Sequence, residues 1–162
     1  KDVRKFGKMR IINQLLFASK FVDKFDLLNK EYDSEKHIDF LNKKIIGKKS
    51  ICSILMNQGY FPGVGNYIKS ESLYASKLHP EKPWKNMSKW EKINLIQNLR
   101  NIMYKSYISG GAELKDFKNP FSKSKFKLKI YGKKFTSKKD IVTSKITSDY
   151  RKTWFCAKSQ KL

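Results

Sequence analysis

Seven residues near the middle of the chain constrain it most. "GYFPGVG" (Gly59 to Gly65) puts three glycines and a proline between two short apolar segments. No helix or strand runs through so many breakers, so the chain must reverse here within two turns. Before it lies "SICSILMNQ" (Ser50 to Gln58), with Ser50 placed to cap and Ile51, Ile54 and Leu55 on one face. After it, a second helix is expected from about Asn66, with Ile68, Leu73 and Leu78 turned inward. The result is a helix-two-turn-helix over 50–78. Such a unit holds up a helix N-terminus, whose unpaired N–H groups bind phosphate without help from a side chain. Gly63 and Gly65 permit φ > 0 and close backbone approach, and Asn66 can add its amide to the same oxygen. The plainer alternative is that Asn66 only caps its own helix, the commoner use of asparagine at such a place.

Charge bears on that choice. The chain of 162 residues has 36 basic and 14 acidic residues, a net +22. A compact state with this excess repels itself unless a polyanion shares it. Nucleic acid is the natural partner and an anionic membrane the second. Compositional drift toward lysine explains a lysine-rich surface, though not so few acids. Residues 120–162 alone hold 13 basic and 2 acidic residues, so half the excess lies in about the last quarter of the chain. No apolar run approaches the ~18 residues that span a bilayer, and no signal-peptide pattern is present. Cys52 and Cys156 make no disulfide framework, and two histidines give no metal cluster. The reading is a protein that works inside the cell, on nucleic acid, without cofactor or membrane.

The remaining chain reads as mainly α followed by β. "YDSEKHIDFLNKKI" (Tyr32 to Ile45) predicts a helix capped at Ser34, with Ile38, Leu41 and Ile45 on one face. Ser88 and Glu91 form a capping box that opens the longest helix, about Ser88 to Tyr107, ended by "SGGAE". In "KFKLKIYGKKF" lysine alternates with Phe126, Leu128 and Ile130. That alternation predicts a half-buried strand, a turn at Gly132 to Lys134, and a basic β-hairpin reaching Phe155. Met9 to Phe21 fits strand or short helix.

"SICSILMNQGYFPGVGNYIKSESLYASKLHP" resembles the helix-two-turn-helix of the formamidopyrimidine-DNA glycosylase/endonuclease VIII family. "KDVRKFG" (Lys1 to Gly7) is similar to that family's D-x-R-R/K-F-G loop. "YRKTWFCAKSQ" (Tyr150 to Gln160) is similar to its terminal zinc-finger hairpin. The three matches come in the family's order and cover nearly the whole chain. The resemblance implies an end of a β-sandwich domain at 1–21, a helical domain at 22–119 and a finger hairpin at 120–162.

It also implies site residues. Asn66, with Gly65 before it, would bind phosphate beside the damaged nucleotide. Arg151 would bind the same region and assist elimination. Arg4 would meet the orphaned base while Phe6 wedges the stack, and Lys48 or Lys49 would touch the DNA. Extruding a base costs a few kcal/mol, which a wedge and a polar plug offset. Only four arginines occur, at 4, 10, 100 and 151, and two of them fall on motif positions.

Two departures from the family are plain. Only Cys156 of four zinc cysteines is present, Ser159 replaces another, and tetrahedral zinc needs four ligands. No metal is expected, and packing by Ile130, Ile141, Trp154 and Phe155 would hold the hairpin. This is similar to the zincless-finger endonuclease VIII-like subgroup, a likeness shared by "TWF" and by the short loop between Phe117 and Tyr131. Asn57 stands where the family has aspartate. The second departure is that the family's N-terminal proline nucleophile and its following glutamate are missing. The chain, starting at Lys1 without Met, is therefore expected to be the DNA-binding half of a bifunctional glycosylase/AP lyase for oxidised bases, tending to pyrimidines. Alone it would bind double-stranded DNA with a damaged base or abasic site, as a monomer, and not cut it. Its other partner would be its own catalytic domain, whose sequence would begin Pro-Glu after Met. The rival is a non-catalytic helix-two-turn-helix binder of the ribosomal or topoisomerase type, which gives no reason for the two flanking motifs.

Overall fold

A computed structural model describes residues 25–112 and 126–162. Arg4, Phe6, the Met9 to Phe21 segment, the expected domain remnant at 1–21 and most of the loop after Phe117 lie outside the described residues. Helix α1 spans Ser34–Lys44, and its cap is Asp33, not Ser34. The Asp33 carboxylate accepts from the N–H groups of Glu35 (2.9 Å) and Lys36 (3.1 Å). A charged acceptor at the positive end of a helix outcompetes a neighbouring hydroxyl. Ile38, Leu41 and Ile45 are buried, as their spacing predicts.

Helix α2 is only Ile51–Leu55, shorter than the expected Ser50 to Gln58. The Asn57 carbonyl accepts from the N–H groups of both Tyr60 and Phe61, which starts the first turn at once. Gln58 then clamps the second turn: its Oε1 accepts from Gly63 N, and its Nε2 donates to Val64 O. Gly63 has φ +76°, a conformation that favours glycine. Phe61 and Val64 drop into the core and fix where the chain re-emerges.

Helix α3 spans Asn66–Ala75 and α4 spans Lys89–Ile108, with a 3₁₀ turn at Trp84–Asn86 between them. Both bonds of the Ser88/Glu91 capping box are made. Gly110 and Gly111, both at positive φ, end α4. Ile54, Leu55, Ile68, Leu73, Trp84, Leu95, Ile96 and Leu99 form one core with the inner face of α1. The Trp84 indole N–H, buried with its ring, donates to Asn42 Oδ1 (2.9 Å). Among the described residues, no helix is long and apolar enough to cross a membrane.

The C-terminal part corrects one expectation. "KFKLKIYGKKF" is not a strand, although Phe126 bridges to Ala112 and Phe135 to Ile141. The N–H groups of Lys129, Ile130 and Tyr131 all turn onto the buried carboxylate of Glu71 in α3, at 2.9–3.0 Å. Three successive donors on one carboxylate curl the backbone, so none is left for a ladder. The hairpin lies further on: β1 (Thr143–Ile146) pairs antiparallel with β2 (Lys152–Phe155), with Thr143 opposite Phe155 and Ile146 opposite Lys152. Ile130 and Phe155 are buried and Trp154 packs on Tyr131 at 4.3 Å. Ile141, expected inside, is 72% exposed. Its bridge to Phe135 leaves both side chains outside the body, because the loop is anchored through Thr136 and Asp140 backbone bonds instead. Buried Gln160 closes the hairpin, accepting from Cys156 N and donating to Leu78 O just beyond α3.

Candidate functional site

The two-turn segment delivers the start of α3 to the surface, and the hairpin delivers the turn 147–151 to the same place. Polar connections tie this turn to α3 and to the helical body around it. The Asn66 amide Nδ2 donates to Lys152 O at 2.9 Å. Lys69, fully buried one turn along α3, donates to Asp149 and to Thr153 Oγ1. Glu81 accepts from both the N–H and the hydroxyl of Ser148, at 2.8 Å each. Ser50 Oγ bonds Ser148 Oγ. Ser50 therefore holds the hairpin and does not cap α2 through its side chain.

These contacts set the electrostatics. Burial pushes the Asp149 carboxyl upward, but the Lys69 ammonium and the Thr147 hydroxyl outweigh it and hold the carboxyl below its ordinary range. The turn's acid is thus ionised, yet neutralised from inside. Glu71 is likewise spent on backbone donors. What faces solvent beside the turn is Arg151, Lys152, Lys48 and Lys49, all exposed.

Asn66 is the first residue of α3, not its cap. The cap is Gly65, extended at φ −102°, so the positive φ expected there is not adopted. A Cβ on Gly65 would meet nothing within 4 Å, so the fold itself does not demand glycine. The absent side chain instead leaves open space before an N-terminus that no side chain caps. The alternative in which Asn66 caps its own helix is excluded, because its amide points at the hairpin. One amide hydrogen goes to Lys152 O and a second remains. Asn66 Oδ1 is buried without a hydrogen-bond partner, which costs about 1–3 kcal/mol.

Of the residues singled out in the sequence, Asn66, Gly65 and Arg151 come together. Lys48 and Lys49 adjoin them through Ser50. Arg100 is structural: it donates to Leu27 O and lies over the Tyr32 ring. Lys69, Glu71, Glu81, Ser148 and Asp149 were missed as parts of the site. Only the inward spacing of 69 and 71 among Ile68, Leu73 and the following Leu78 could have flagged the two α3 residues. No group of three His, Cys, Asp or Glu side chains able to hold a metal occurs among the described residues.

Known proteins share this fold. Residues 26–118 match the family model described as the formamidopyrimidine-DNA glycosylase H2TH domain. The chain is 31% identical over 165 residues to a formamidopyrimidine-DNA glycosylase of Rickettsia conorii, covering 98% of this chain and 60% of that protein. It is 30% identical to the one from Zymomonas mobilis, covering 99% and 61%. Among solved structures, the Lactococcus lactis Fpg bound to abasic-site DNA superposes with a TM-score of 0.83 at 25% identity, covering 99% of this chain and 61% of that one. The same enzyme with Fapy-dG DNA also gives 0.83. The chain spans about three fifths of the length of the curated relatives it matches.

Proposed function

The chain belongs to the formamidopyrimidine-DNA glycosylase H2TH-domain family, and on that premise we propose that it grips damaged duplex DNA for a bifunctional glycosylase/AP lyase. The observation that carries the reading is the Asn66–Lys152 hydrogen bond. It ties an uncapped helix N-terminus and an amide with a second N–H to the strand residue that follows Arg151, and we read these groups with the Arg151 guanidinium as one patch that fits a phosphate. In this reading Asn66 and Gly65 hold the phosphate beside the lesion, and Arg151 holds the same region and supports elimination. Lys48 and Lys49 follow the backbone. Arg4 and Phe6 would fill the space left by the extruded base.

The nucleophile is an N-terminal proline amine, assisted by a glutamate. We place both in the part of the enzyme that corresponds to the relatives' remaining two fifths. The amine would displace the base, form a Schiff base with the sugar, and lead to strand cleavage by β,δ-elimination. Residues 1–162 alone bind and do not cut. Oxidised pyrimidines are the preferred lesion, on the likeness of "TWF" to the zincless-finger subgroup. A competition between duplexes carrying an oxidised pyrimidine and Fapy-dG separates that preference from a purine one.

Borohydride trapping on such duplexes tests the whole reading. The native polypeptide, with any upstream segment, should give a covalent complex, and residues 1–162 should give none. No complex from either would leave a non-catalytic binder. Arg151→Ala in the native polypeptide should weaken lesion-DNA binding and cleavage, and unchanged activity would remove Arg151 from the site.

A further inference from the structure

The hairpin turn contains a residue that its backbone does not favour. Tyr150 N donates to Thr147 O (2.8 Å), and Thr147 N donates to Arg151 O (3.1 Å). The turn thus runs through Ser148 and Asp149 and ends on Tyr150 at φ +58°. The left-handed position that closes such a three-residue hairpin loop is usually glycine. For a bulky side chain this conformation is strained by roughly 1 kcal/mol or more. The Tyr150 side chain itself makes no compensating contact among the described residues: it is 91% exposed, the most exposed large apolar side chain among them, and none of their rings or cations packs on it.

The turn cannot relax by swinging away. Asp149 is held by buried Lys69, Ser148 by Glu81, and Lys152 O by Asn66. The backbone of Tyr150 is therefore fixed beside Arg151, and its ring projects into solvent at the edge of the proposed phosphate patch. We propose that Tyr150 is a DNA-binding residue that stacks its ring on a nucleobase next to the gripped phosphate. The inference rests on the DNA-gripping function proposed above. Stacking suits an aromatic presented on a fixed backbone because every base offers a π-face, and ring and backbone contacts together fix the strand laterally.

The test measures equilibrium binding of the full chain and its variants to an abasic-site duplex, together with thermal unfolding. Tyr150→Gly should weaken binding about 10-fold, within the range for loss of one stacked base, while the unfolding temperature stays level or rises because the strain is gone. Tyr150→Phe should bind as the parent does. Parental affinity in Tyr150→Gly, beside a clear loss in Arg151→Ala, overturns the stacking role and leaves the grip intact. Parental affinity in Tyr150→Gly, Asn66→Ala and Arg151→Ala together overturns the grip itself. A loss in Tyr150→Phe equal to that in Tyr150→Gly would assign the effect to the phenol hydroxyl and overturn stacking.

Discussion

Lys69 carries the largest single electrostatic debt in the site. Its side chain is fully buried against Asp149, itself only 3% exposed. Removing one member of such a pair leaves a buried charge without its partner, at a cost of about 3–5 kcal/mol. Lys69→Met should therefore lower the urea midpoint sharply, and Lys69→Met/Asp149→Asn should recover part of the loss. If the double variant is no more stable than the single one, the pair is not the cause. This residue was barely legible in the sequence, where only its inward spacing marks it. Among 36 basic residues, a lysine turned inward is identical in one dimension to a solvated one. Asn66 was half legible: its place at the start of α3 was right, but whether its amide served the helix or the hairpin depended on a residue 86 positions away. Arg151 stood out in the sequence through the motif in "YRKTWFC", and the structure places it at the end of the hairpin turn.

At the level of elements, α1 contains a pH-dependent anchor. His37 is buried, stacks on Phe25 at 4.3 Å, and has Nδ1 2.6 Å from the Tyr32 hydroxyl. Burial lowers its pKa to about 4. A folded value below the unfolded ~6.5 means that the unfolded chain binds the proton more tightly. The stabilisation is complete above pH 6.5 and is lost as pH falls from there toward 4. Thermal unfolding should drop over that window by an amount worth up to about 3 kcal/mol, and His37→Gln should flatten the curve. A drop unchanged in His37→Gln would assign it elsewhere. The helices were the most legible elements, since their apolar spacing and the Ser88/Glu91 box are local properties. The expected strand at 125–135 failed for the opposite reason. Its alternation of lysine and apolar residues is genuine, but its donors are taken by Glu71, about 60 residues upstream.

For the whole molecule, the arrangement of acids matters as much as the number of bases. Glu71, Glu81 and Asp149 all serve internal donors around the hairpin, leaving its outer side to Arg151, Lys152, Lys48 and Lys49. Duplex binding should fall steeply with salt. If 6–10 phosphates are neutralised, affinity drops on the order of 10³–10⁵-fold between 50 and 200 mM. A flat response would mean that the +22 reflects composition and not a DNA track. A chelator should leave the unfolding temperature unchanged, and a large decrease would reveal a structural metal.

The contacts of helix α3 also imply an order of assembly. From ten residues it sends Asn66, Lys69 and Glu71 to partners 58 to 86 positions further on. Two four-residue strands are marginal alone in water, and chain entropy must be overcome before such distant contacts form. The hairpin should thus condense only onto a finished helical body, so that a peptide of residues 126–162 stays unfolded by circular dichroism.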